Sequence, residues 1–103
     1  MNKILVLITT VQEIEVAEKI ENIILQKRIA ACVSFKKIYS SYIWNNEIEK
    51  NEEIEIVIKS LPEKLDCLIE ILKKESSYEV SQIIYKLFSA EDNYFNWLKS
   101  NIN

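Results

Sequence analysis

Few residues in this chain are equipped for chemistry. It has two cysteines, Cys32 and Cys67, one arginine, Arg28, and neither histidine nor glycine in its 103 residues. Lack of histidine removes Ser-His-Asp and Cys-His catalysis and any imidazole ligand for copper or zinc. Lack of glycine removes the P-loop, the dinucleotide-binding fingerprint and the nucleophile elbow, each of which needs a backbone free to bend or approach closely. The cysteines are too far apart for a CxxC motif and too few for a disulfide scaffold, so they read as free thiols of a reducing compartment. Glu47, Glu49, Glu52, Glu53 and Glu55 crowd one segment and offer hard oxygen donors to a divalent ion. Strand alternation sends Glu52 to the face opposite the other four. A solvated edge, or ion pairs between subunits, therefore competes with a metal cage.

The elements that must position these groups follow from pattern. Hydrophobic residues make up 49% of the chain and charged residues 28%, with no apolar run long enough to span a membrane. One domain over residues 1–103 is expected. Thirteen Lys and Arg against 16 Asp and Glu give a net charge of −3, which argues against a phosphate-backbone binder. The start, Met1 to Ile8, imitates a signal peptide only faintly: its apolar run is short and no small-residue cleavage site follows. A cytoplasmic protein is the expectation.

Ile4 to Ile8 reads as a buried strand. Thr10 with Glu13 has capping-box spacing and predicts a helix whose core face is Val16, Ala17, Ile20, Ile23 and Ile24. A strand beginning near Cys32 runs to Trp44, Asn45-Asn46 forms a two-residue turn, and the return strand runs from Glu47 to Lys59. Counting back from that turn opposes Phe35 to Ile56, Val33 to Ile58 and Cys32 to Lys59. Ser60, Pro62 and Glu63 repeat the helix-start pattern, followed by an apolar stripe of Leu65, Leu68, Ile69 and Leu72 that excludes Cys67. Ser81 to Ser89 alternates as a fourth strand, and Tyr94, Trp97 and Leu98 mark a short terminal helix. The order β-α-β-β-α-β-α is the α+β, ferredoxin-like arrangement: an antiparallel sheet with two helices on one face, here with an extended β-hairpin and a short C-terminal helix.

Both hairpin arms are about twice the usual strand length of about 5–6 residues. Their tip concentrates Tyr39, Tyr42, Ile43 and Trp44. Either these side chains fold back onto their own domain or they pack on neighbouring subunits, and the second is favoured because exposed apolar surface and strand edges are association surfaces. In the predicted register Cys32 lies beside the Lys59 ammonium, which favours the thiolate, the metal-binding form. The alternative is a small buried hydrophobe.

Ile29-Ala30-Ala31-Cys32-Val33-Ser34 resembles the L-A-A-C-V-N signature of the divalent-cation tolerance family, CutA. Tyr42-Ile43-Trp44 with Ile48-Glu49 resembles its Y-x-W-x-G-x-I/V-E hairpin, with Asn46 where the family has glycine. Glu52-Glu53 and Ile58-Lys59-Ser60 are similar to its acidic stretch and I/L-K-T strand end. Tyr78-Glu79-Val80 is similar to the centre of H-P-Y-E-V-P, and Tyr94-Phe95-Asn96-Trp97-Leu98 to Y-L-D-W-I. The resemblance implies a non-enzymatic homotrimer with a role in tolerance to, or binding of, divalent metals such as copper. It also implies a cleft between subunits lined by Lys59, Tyr78 and Glu79. The copper-ligand positions it implies hold Thr9, Glu75 and Ser76 here, with neither thiolate nor imidazole, which leaves Cys32 as the metal candidate.

Other readings of the same element order fit less well. An RNA-recognition domain needs aromatics on its central strands, and Ile4 to Ile8 and Ile54 to Lys59 have none. An acylphosphatase-like enzyme needs an anion cradle, and Arg28 has no Gly-rich loop beside it. A trimeric regulator that binds a small molecule in clefts between subunits, with no physiological metal site, stands as the alternative to metal binding.

Overall fold

The computed structural model describes residues 2–103. The elements are β1 (Lys3–Val11), α1 (Ile14–Gln26), β2 (Cys32–Trp44), β3 (Glu47–Ser60), a 3₁₀ turn at Pro62–Lys64, α2 (Leu65–Glu75), β4 (Ile83–Ser89) and α3 (Asp92–Ser100). The strands form one antiparallel sheet in the order β2-β3-β1-β4. This is the ferredoxin-like arrangement expected from the pattern.

Alternation decides which face each side chain buries. Leu5, Leu7 and Val11 of β1 and Ile54, Ile56 and Ile58 of β3 point to one face. There they meet Ala17, Ile20 and Ile24 of α1 and Leu68 and Leu72 of α2 in one buried cluster. Each fully buried aliphatic side chain contributes roughly 1.5–3 kcal/mol. Ile4 and Val6 point the other way, where Leu98, Tyr94 and Phe95 of α3 cover only that end of the open face. Glu91 starts α3 by accepting from the amides of Asn93 and Tyr94.

The hairpin obeys its turn. Asn45 and Asn46 both hold positive φ, 52° and 64°, as a two-residue turn matched to strand twist requires. The register then runs unbroken from Trp44↔Glu47 to Cys32↔Lys59, with no bulge. The last partner of β3 on β1 is Ile54, opposite Val11. Beyond it the hairpin continues as a free two-stranded arm, and the molecule measures 45 × 25 × 22 Å.

Four local expectations are corrected. Thr10 caps no helix: it is a buried strand residue opposite Glu55, and α1 begins after Glu13 without a side-chain cap. Ser60 likewise ends β3, and its hydroxyl donates to the Ile29 carbonyl at 2.6 Å. In both cases a buried hydroxyl is claimed by the sheet's surroundings before the helix can use it. On α2, Ile71 rather than Ile69 packs against the core. The fourth strand begins at Ile83, because Ser81 and Gln82 belong to the preceding loop. One further feature carried no sequence signal. Arg28 adopts φ 54° after α1, with the Ile29 amide donating to the Ile24 carbonyl at 3.0 Å, a Schellman-type stop made without glycine.

Candidate functional site

The loop between α2 and β4 folds over the root of the hairpin arm, and a cleft of 620 Å³ opens between them. That volume lies within the range of small-ligand pockets, about 300–1,000 Å³. The hairpin lines it with Ser40, Tyr42, Trp44, Glu49 and Glu53, the loop with Ser77, Tyr78, Glu79 and Val80, and the end of β1 with Thr10. Tyr42 and Trp44 alternate with Tyr39 and Ile43 on β2, so one face of the arm lines the cleft while the other points away from it.

Of the residues lining the cleft, Glu53 is only 7% exposed. The Tyr78 hydroxyl donates to its Oε1 at 2.9 Å and the Ser40 hydroxyl to its Oε2 at 2.9 Å. The loop is tied down in turn: the Tyr78 amide donates to Ser76 Oγ at 3.2 Å, and the Ser77 hydroxyl to Gln12 Oε1 at 3.4 Å. Asn51 Nδ2 donates to the Tyr42 hydroxyl at 2.6 Å. Burial, then the hydrogen bond to Glu53 and its charge, then Tyr42, push the Tyr78 phenol well above the usual tyrosine range. Tyr78 is therefore a neutral donor at physiological pH, holding a carboxylate in place.

Of the residues singled out from sequence, Tyr78 and Glu79 line this cleft together with Tyr42 and Trp44, whereas Lys59 does not. Lys59 lies opposite Cys32 at the other end of the hairpin, and Cys32 is half-buried at the start of β2. Tyr39 and Ile43 are 79% and 75% exposed, joined by Ile48 at 72% from the facing strand. Cys67 is exposed on α2. In the sequence Glu53 is one of several similar glutamates, and Ser40 carries no signal of its own. Alternation placed Glu53 on the correct face, but only the tertiary position of Tyr78 distinguishes it from its neighbours.

The three positions corresponding to copper ligands are engaged elsewhere. Thr9 is 2% exposed in the sheet opposite Ile56, Glu75 pairs with Lys19 at 3.0 Å, and Ser76 accepts from the Tyr78 amide. Among the described residues no group of three or more His, Cys, Asp or Glu side chains is placed to hold a metal ion. Hydroxyls and one ion-paired carboxylate are a poor donor set for copper, which prefers thiolate and imidazole. These residues do not fit a copper centre.

A family model described as CutA1 divalent ion tolerance protein matches residues 5–101. The chain belongs to this family. Among CutA relatives, the divalent-cation tolerance protein of Thermus thermophilus is 32% identical over 99 residues, covering 93% of this chain and 95% of that protein. The chloroplastic CutA of Arabidopsis thaliana is 31% identical over 98 residues, and the match spans 93% of this chain but only 54% of that longer protein. The solved structure of CutA from Archaeoglobus fulgidus, described as a periplasmic divalent cation tolerance protein, superposes with a TM-score of 0.93 at 25% identity, covering 97% of this chain and 99% of that one. CutA1 from Oryza sativa superposes with a TM-score of 0.92 at 27% identity, covering 98% and 94%. Among the described residues no helix is long and apolar enough to cross a membrane.

Proposed function

We propose that this chain is a non-enzymatic, cytoplasmic homotrimer of the CutA family that serves the response to divalent cations by binding a small ligand in the cleft beside its hairpin arm. The observation that carries this reading is the division of labour along the arm. One face presents Tyr39, Ile43 and Ile48, each more than two-thirds exposed, while the other lines the cleft with Tyr42, Trp44 and Glu53. An apolar arm standing in water is an association surface, and an arm that reaches a neighbour makes a heterologous contact, which closes into a ring when the rotation allows. Assembly through the first face would set the cleft next to a subunit boundary. A binding role is supported by a sequence without histidine and by Tyr78, which is held as a neutral phenol. The net charge of −3 favours neither nucleic acid nor an anionic membrane as partner.

A second reading places a soft metal at Cys32, favoured by its half-buried position opposite Lys59. Calorimetric titration of the reduced protein with Cu(I), Cu(II) and Zn(II), repeated on Cys32→Ser, separates the two. The cleft reading expects no heat that depends on Cys32. Stoichiometric binding of Cu(I) lost in Cys32→Ser overturns it in favour of a thiolate centre.

A further inference from the structure

Both outer strands of the sheet keep one edge free. In the order β2-β3-β1-β4, strands β2 and β4 each pair on one side only among the described residues. Three antiparallel steps separate them, so the two edges run in opposite directions. The β4 edge of one copy can therefore take the β2 edge of another as a further antiparallel strand, in a heterologous contact that repeats from copy to copy. Edges that must stay free are commonly blunted by charge. Residues Ile38 to Trp44 of β2 carry none, and β4 has Lys86 alone among Ile84, Tyr85, Leu87 and Phe88, all four of them exposed. The opposite edge of the arm, residues 47–53 of β3, is the blunted one, with Glu47, Glu49, Lys50, Glu52 and Glu53.

Faces must match as well as directions. Leu87 and Tyr85 lie opposite the core-facing Leu5 and Leu7 and so share the helix-bearing face, which Tyr39 and Ile43 share by alternation from Phe35. Matched faces leave only registers two residues apart. One of these sets Leu87 opposite Tyr39, Phe88 opposite Ile38, Ile84 opposite Tyr42 and Lys86 opposite Ser40, so apolar meets apolar and the one charge meets a hydroxyl. Slipping toward the root of the arm sets Leu87 and Phe88 against Lys37 and Lys36, and slipping toward the tip sets them against Ser41 and Ser40. Resting on the assembly reading, we infer that the β4 edge of each copy receives the β2 arm of its neighbour, in the register that pairs Leu87 with Tyr39. The contact reaches the cleft as well. Ser40 and Tyr42 line it, so Lys86 and Ile84 of the adjoining copy border it, and a cleft with no Lys or Arg of its own gains one on assembly.

Disulfide trapping tests the register in a full-length Cys32→Ser, Cys67→Ser parent. Tyr39→Cys and Leu87→Cys are introduced together and singly, at positions exposed in the single chain. Directly opposed residues of an antiparallel pair have Cα atoms about 4.5–5.5 Å apart, within reach of a disulfide. Mild oxidation of the double variant should give covalent dimers and trimers on a non-reducing denaturing gel, while each single variant and the off-register pair of Ile43→Cys with Leu87→Cys should stay monomeric there. In the parent, Leu87→Asp should raise the concentration of half-assembly by about tenfold or more, read by sedimentation with circular dichroism confirming the fold. Two results overturn the inference and leave the assembly reading standing. One is a parent that light scattering shows as a trimer but whose double variant forms no ladder. The other is a ladder from a single variant or from the off-register pair, or assembly unchanged by Leu87→Asp. A parent that is a stable monomer at micromolar concentration overturns both.

Discussion

Removing one hydroxyl tests whether the Tyr78–Glu53 contact shapes the cleft. In Tyr78→Phe the ring keeps its place while Glu53 Oε1 loses the donor at 2.9 Å, leaving the buried carboxylate with only Ser40. A hydrogen bond to a charged group contributes about 1.5–3 kcal/mol, and the partial burial of Tyr78 favours the lower end. With a urea m-value of about 1–3 kcal/mol/M, that loss lowers the unfolding midpoint by roughly 0.5–1.5 M, compared at one fixed protein concentration because any assembly adds to apparent stability. The pH dependence is a second signature. The Tyr78 phenol is raised in the folded chain, by burial first and by Glu53 second, above the value of about 10 it takes when unfolded. The stabilisation is complete below pH ~10. Above it the unfolded chain gives up a proton that the folded chain retains, so stability falls with pH, approaching about 1.4 kcal/mol per pH unit. Tyr78→Phe lacks this component, and the gap between the two proteins should narrow from pH 10 to 11. Equal midpoints at pH 7, with parallel curves up to pH 11, would refute the reasoning.

Ile56→Ala, at a fully buried position between Thr9 and Phe35, should cost about 2–5 kcal/mol in a denaturant melt through cavity formation in the main core. Asn46→Val forces a β-branched residue to φ 64° and should cost about 1–2 kcal/mol, whereas Asn46→Gly should be neutral or stabilising in the same denaturant melt. Ile43→Lys with Ile48→Lys places charges on a face now 75% and 72% exposed at these positions. If neighbours bury those side chains at about 1.5–3 kcal/mol each, the double variant should sediment as a lighter, folded species at micromolar concentration.

How much of this was legible depended on how local the determinants were. The hairpin was the most legible element, because Asn45-Asn46 sets the register and every later pair follows by counting, so Cys32 was correctly placed opposite Lys59 across the full length of the arms. Most of the core face of α1 followed from the apolar period, Val16, Ala17, Ile20 and Ile24 packing as expected and Ile23 lying off the core. Helix starts were less legible. Thr10 and Ser60 have the residue types and spacing of caps, yet their hydroxyls lie in a buried sheet environment that a linear pattern does not encode. The Arg28 stop could not be anticipated from glycine placement in a chain with none. At the cleft, Tyr78 and Glu79 were reached through resemblance, while Glu53 and Ser40 gained their roles from a loop that returns to the arm from 25 residues downstream of Glu53. The contact between them is purely tertiary.

Coverage of the exposed arm by other copies of the chain is the central claim. Light scattering on the reduced wild-type protein at micromolar concentration, in line with size-exclusion chromatography, measures this directly. The predicted result is a single species at three times the chain mass of 12.1 kDa. A stable species at 12.1 kDa, with Tyr39, Ile43 and Ile48 left in water, would contradict it.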